Sequence, residues 1–145
     1  MMRRLRRGGR ERGSEVIEAV IGVPAVIFFI GLIIAAGRMA VAEQAVDAAA
    51  AEAARAASIA RTQVQANEDA MTWASASLAN QGLQCTSRNV EVDTGGFAAP
   101  PGTPASVSAT VTCVVRLSDL AVPGLPGSRT ITATMTSPID TYRER

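Results

Sequence analysis

GSEVIEAVIGVPAVIFFIGLIIAAGR, residues 13–38, is the stretch on which the reading of the chain turns. From Ala19 to Gly37 it carries no ionisable side chain. Nineteen helical residues cover roughly 28 Å, the thickness of a bilayer's hydrocarbon core, so the run predicts a membrane-anchoring helix. Glu18 stands at its mouth, and a carboxylate this close to lipid is costly unless paired or neutralised. Its partner is therefore expected to matter for function.

Charge outside this stretch is asymmetric. Of the 14 basic side chains, all arginine, six (Arg3, Arg4, Arg6, Arg7, Arg10 and Arg12) precede the apolar run, against Glu11 alone. The remaining 132 residues, from Ser14 on, hold the other eight arginines and twelve acidic side chains. A basic tail beside an apolar run is explained most simply by the positive-inside rule, which places the N-terminus in the cytoplasm and the C-terminal part across the membrane. The expected location is the cytoplasmic membrane, single-pass.

Two ordinary readings compete for the first 42 residues. A secretory signal peptide would use Ala40-Val41-Ala42 as its cleavage site, but the apolar run is too long, and Glu15 and Glu18 lie where such a peptide gains nothing from them. An uncleaved signal anchor fits length and charge, yet leaves Glu18 and the Gly13 junction without a role. A third reading comes from resemblance. Gly13 followed five residues on by Glu18 and then by a long apolar helix resembles the Gly-x-x-x-x-Glu processing site of type IV prepilins. Arg12 to Ala19, with Pro24 inside the apolar run, is similar to the TadE family of tight-adherence (Flp-type) pilus proteins, which are minor pilins or pseudopilins. The motif likeness covers residues 12 to about 35. The alanine-rich continuation, and the ending Ser137-Pro138 and Tyr142-Arg143, are similar in layout only.

That resemblance implies cleavage between Gly13 and Ser14 by a prepilin peptidase. A junction cut at the membrane face needs a small residue so that the backbone can approach closely, which Gly13 supplies. Removing the leader creates an amine on Ser14, one helical turn from Glu18, and in a bundle the two could pair between neighbouring subunits, offsetting the desolvation of both. Pro24 cannot donate to the helical ladder, so a kink or loosening is expected at Val20 to Pro24. Gly22, Gly31, Ala35, Ala36 and Gly37 permit close helix packing without forming a Gly-x-x-x-Gly motif.

Beyond Arg38 the chain stays helical. Ala40 to Ala60 is alanine-rich, with Glu43, Asp47, Glu52 and Arg55 as a wet stripe. Its alanine surface suits either a second helix of the same chain or a neighbouring subunit. Gln63 to Asn67 reads as a break, Asn67-Glu68-Asp69 as a capped helix start, Leu78 as about the end and Gly82 as the C-terminal cap, with Trp73 packed on the first helix.

From Cys85 the period changes to two. Val107, Ala109, Val111, Cys113, Val115 and Leu117 alternate with more polar residues, and Ile131, Ala133 and Met135 alternate with Thr130, Thr132, Thr134 and Thr136. Val90 and Val92 mark a shorter first strand, so three antiparallel strands on the helices are expected. The two cysteines allow one intramolecular pairing, Cys85 with Cys113, in keeping with a location outside the cytosol; buried free thiols are the alternative. The loop Leu120 to Gly127 carries apolar residues to cover the core's edge or to meet a partner.

The predicted organisation is α+β: a leader over 1–13, a transmembrane helix over 14–38, a helical extension over 39–62, and a head of one helix and a small sheet over 63–145. The sequence lacks histidine and lysine, which excludes Ser-His and Cys-His catalysis, histidine metal sites and phosphate-cradling Gly-Lys-Ser loops. Glu91 and Asp93 on a strand are read as a solvated face. With 3% aromatic residues, stacked nucleic-acid recognition is not expected. No enzyme activity, cofactor, metal or small-molecule substrate is predicted. The partners implied by the resemblance are a prepilin peptidase, other pilins or pseudopilins and a membrane assembly platform, alongside membrane lipid. The competing expectation is an uncleaved signal-anchored envelope protein with a binding head.

Overall fold

The computed structural model describes residues 11–120 and 126–141, with side chains from Ile17 to Asp119 and from Pro126 to Thr141. Helix α1 (Glu11–Ile59) is continuous over 49 residues, about 74 Å at the usual rise. The predicted anchor and extension are thus one helix, and its helical backbone runs through Pro24 without interruption. Helix α2 (Gln63–Asn80) folds back beside it after a short turn, and strands β1 (Ser87–Asp93), β2 (Ala105–Arg116) and β3 (Ser128–Ile139) follow. A single 3-10 turn (Gly95–Ala98) and a one-turn helix, α3 (Leu117–Leu120), decorate the sheet. The leader before Glu11, the apolar loop 121–125 and Tyr142-Arg143 lie outside the described residues, as does the proposed role of that loop.

The predicted start of the second helix is corrected. Thr62, not Asn67, is the N-cap: its backbone is extended (φ −131°, ψ 157°), and its hydroxyl accepts from the Gln65 amide at 3.1 Å. The Gln65 side chain reaches back to the Arg61 amide at 3.3 Å, so Thr62-Gln63-Val64-Gln65 works as a capping box displaced by one residue. Asn67 sits inside the helix, its side-chain amide donating to the Gln63 carbonyl. A hydroxyl that satisfies an orphan amide in an extended residue outcompetes an asparagine that helical neighbours can absorb. The other end is as expected. Gly82 takes φ +69°, its amide donates to Ala79, and the Leu83 amide donates to Leu78, which together close the last turn.

Small side chains bring the layers together. On α1 the buried stripe is Ala42, Ala45, Val46, Ala49, Ala50, Ala53, Ala54 and Ala57, and on α2 it is Ala66, Ala70, Ala74 and Leu78 at every fourth position. Glu43, Asp47, Glu52 and Arg55 lie on the exposed side of α1, as the wet stripe requires. The alanine surface therefore packs within the chain, against α2 and the sheet. Trp73 is corrected: it is 54% exposed, because the four-residue spacing of the alanines turns it away from α1.

The sheet has the order β1-β2-β3, antiparallel throughout. Val107, Ala109, Val111, Cys113 and Val115 of β2 and Ile131 and Ala133 of β3 face the helices and are buried, with Met135 packed at their margin. The opposite face is hydroxyl-rich: Thr110 bonds Thr134 at 2.8 Å and Thr112 bonds Thr132 at 3.2 Å across the strands. Leu117, expected to extend β2, instead opens α3, where its amide donates to Gly127 and the strand alternation ends. Pro138 lies in β3, an edge strand whose outer side makes no ladder bonds for it to break. Gly96 is where a side chain cannot be placed, since a Cβ there would run into the Ser106 carbonyl.

β3 runs alongside α1 in the same direction. Arg129 at its start reaches Glu43 at 3.5 Å, and Ser137 near its end donates to Ser58 at 3.1 Å. Eight strand residues and fifteen helical ones each cover somewhat over 20 Å, so the two elements keep pace. Cys85 and Cys113 form a disulfide with Cα atoms 5.3 Å apart, tying the chain before β1 to the middle of β2.

The bond closes a span of 28 residues. By loop-closure entropy, replacing both cysteines with alanine is expected to lower head stability by about 3–4 kcal/mol. Thermal unfolding of the full chain in detergent, followed by circular dichroism, checks this. Ala53→Leu, which inserts bulk into a site with 0% exposure, is expected to cost about 1–3 kcal/mol in the same assay.

Candidate functional site

The core ends where α1 leaves the head. From Ile17 to Ile34 the large apolar side chains of α1 are all exposed, between 50% and 69%. A helix apolar on every side must find lipid or protein around it, because in water it would forgo the whole of its burial energy. α1 is long and apolar enough to cross a membrane, and none of its most apolar window is buried in the head. The stretch 17–37 spans about 31 Å, matching a hydrocarbon core.

The geometry also bears on signal-peptide cleavage. Ala40-Val41-Ala42 lies in uninterrupted helix, and Ala42 is 2% exposed inside the head's core. Cutting there would need that turn of helix to unwind and leave its packing. The structure therefore favours an anchor retained with its head.

At the other end, Gly13 and Ser14 lie within the helical backbone of α1. Ser14 and Glu18 are four residues apart, the spacing that puts two positions on the same helix face about 6 Å apart along the axis. The Glu18 side chain is exposed, and among the described residues it has no ion-pair partner. The Gly13–Glu18 end is thus remote from the disulfide and the sheet, which hold the head together and do not touch it.

A feature that the linear pattern hides lies under the head. An open cleft of about 630 Å³ forms between the stripe Ile34, Gly37, Arg38 and Val41 of α1 and a second wall that includes Leu83, Val115 and Arg116. Asp119 stands 3.4 Å from Arg116, with both side chains half exposed or more. The signal for it was divided between residues nearly eighty positions apart, so only folding joins Arg38 and Arg116. Among the described residues, no group of three histidine, cysteine, aspartate or glutamate side chains is arranged to hold a metal ion.

The TadE-like protein family model aligns with residues 13–55 of the chain. The alignment begins at the Gly13 junction, takes in the whole exposed apolar stretch and ends among the buried alanines of α1. The resemblance drawn from Gly13, Glu18 and Pro24 is supported by it. α2 and the sheet lie outside the aligned segment. No curated protein and no solved structure matches the chain. The match and the apolar helix together fit a membrane-anchored, Tad-pilus-related protein.

The full chain is expected to stay in the membrane pellet through alkaline carbonate extraction, and deletion of residues 14–38 to release it. Glu18→Gln is expected to leave this retention unchanged, since it removes a charge at the edge of the span rather than apolar length. Fractionation and immunoblotting read both outcomes.

Proposed function

From the TadE-like match over residues 13–55 we propose that the chain is a minor pilin or pseudopilin of a Tad/Flp-type pilus, made as a precursor and processed after Gly13 by a prepilin peptidase. The observation that carries this reading is one continuous helix that holds the junction, Glu18 one turn beyond Ser14, and an apolar surface exposed from Ile17 to Ile34. It sits in the inner membrane with the arginine leader inside and the head outside. Its role is structural, as a component that initiates, caps or supports filament assembly, and it has no catalytic part.

Cleavage removes the arginines that hold the helix start in the cytoplasm and exposes an amine on Ser14. Glu18 of one subunit then neutralises the amine of its neighbour as the helices bundle. In low dielectric such a pair is costly to leave half-made, so it sets axial register more than it adds stability. The alanine stripe of α1 is already occupied by α2 and the sheet. Subunit contacts therefore fall to the exposed 17–37 surface and to the outside of the head, with other pilins and the assembly platform as partners.

The uncleaved signal-anchored envelope protein draws on one observation, that the junction is already helical and would have to unwind to be cut. Intact mass and N-terminal sequencing of the protein from its native membrane separate the two. A chain beginning at Ser14 supports processing, and one beginning at Met1 or Met2 supports the anchor. Glu18→Ala is then expected to insert and be processed normally yet abolish filaments, counted by electron microscopy of sheared cell surfaces; normal filaments would sink the pairing mechanism.

A further inference from the structure

The cleft beneath the head straddles the level at which the bilayer ends. If the exposed span begins at Ile17, about 30 Å of helical rise brings the polar boundary to Gly37 and Arg38. Ile34, 50% exposed, then lies on the hydrocarbon side, and Val41, 62% exposed, lies about two turns above it on the same stripe of helix. The other lining residues include Arg116 and Asp119. Arg38 has no ion-pair partner among the described residues, while Arg116 shares its charge with Asp119 at 3.4 Å. Two guanidiniums and one carboxylate leave the cleft with one net positive charge, set above an apolar floor.

A molecule that complements this arrangement has one net negative charge at its head and a hydrocarbon tail directed into the bilayer. We infer that the cleft holds the head group of one anionic glycerophospholipid from the leaflet on the head's side, with its phosphate between Arg38 and Arg116 and an acyl chain along Ile34. The inference rests on the membrane-spanning reading of α1. A lipid seated there fixes the depth of the head at the surface, and it must be released whenever the subunit leaves the bilayer.

The test uses the full chain purified in mild detergent and offered equal amounts of dioleoyl phosphatidylglycerol and dioleoyl phosphatidylcholine, with retained lipid read by native mass spectrometry. Wild type is expected to retain the anionic lipid about tenfold over the zwitterionic one. The double variant Arg38→Ala/Arg116→Ala is expected to bring that ratio near one, and Arg61→Ala, at the far turn between α1 and α2, to leave it unchanged. Gly37→Leu separates the cleft from mere surface charge. A Cβ at Gly37 meets nothing within 4 Å, and leucine is a better helix former than glycine, so the variant fills the cleft with both arginines kept and is expected to lose the preference too.

A wild-type ratio near one, a double variant like wild type, or a Gly37→Leu variant that keeps the preference would each overturn the inference. Displacement of the lipid by inorganic phosphate would also overturn it, by assigning the site to free phosphate. Flotation with phosphatidylcholine vesicles tells the two levels apart. Wild type is expected to float, and floating without a lipid preference defeats the cleft alone, whereas failure to float defeats the span and the cleft together.

Discussion

One helix has to satisfy two surroundings. α1 is apolar on all sides from Ile17 to Ile34, then from Ala42 onward it buries one face and keeps Glu43, Asp47, Glu52 and Arg55 on the other. No loop separates the halves, so the head's position relative to the membrane is set by the rigidity of a hydrogen-bonded backbone rather than by a linker. Everything else in the molecule is arranged along that rod. α2 folds back on it, β3 keeps pace beside it from Glu43 to Ser58, and the cleft forms where the rod emerges from the head.

The alanine face is what lets so short a chain build a head at all. Alanines at 0% exposure on both helices bring backbones close and allow the sheet to lie directly on α1, at the cost of a core with few bulky members: Leu78, Val46 and the valines of β2 are its largest fully buried side chains. Small domains bury proportionally less surface, and a core of alanine and valine buries less again. The Cys85–Cys113 bond offsets this by tying the segment before β1 to the buried Cys113 of the central strand. Anchor and head are thereby held by different physics, the one by lipid around it and the other by close packing and a covalent tie.

With the alanine face consumed inside the chain, the large apolar surface left exposed is largely the Ile17–Ile34 stretch of α1, which lipid covers when the helix spans a membrane. In the pilin role proposed above, leaving the bilayer would exchange lipid contacts for helix contacts of similar character, so the difference would rest on fit and on the few charges present. Glu18 at one end of the span, and Arg38 with Arg116 at the other, are the charges that mark its limits.

Much of this was legible in the residues. The long uncharged run reads as a membrane anchor because it is too long for a signal peptide; period-two alternation in β2 and β3 identifies strands and their inward faces; two cysteines allow a single intramolecular pairing. These are local or counting arguments, and they need no knowledge of what packs where. Thr62 is also readable, as Thr-x-x-Gln before a helix, in competition with the acidic pair that follows Asn67. Three matters were decided only by tertiary structure. Whether the alanine stripe met its own chain or another, which way Trp73 turned, and that Arg38 and Arg116 share a cleft all depend on distances between segments far apart in sequence. Periodicity assigns a residue to a face, but only the folded chain determines what that face meets.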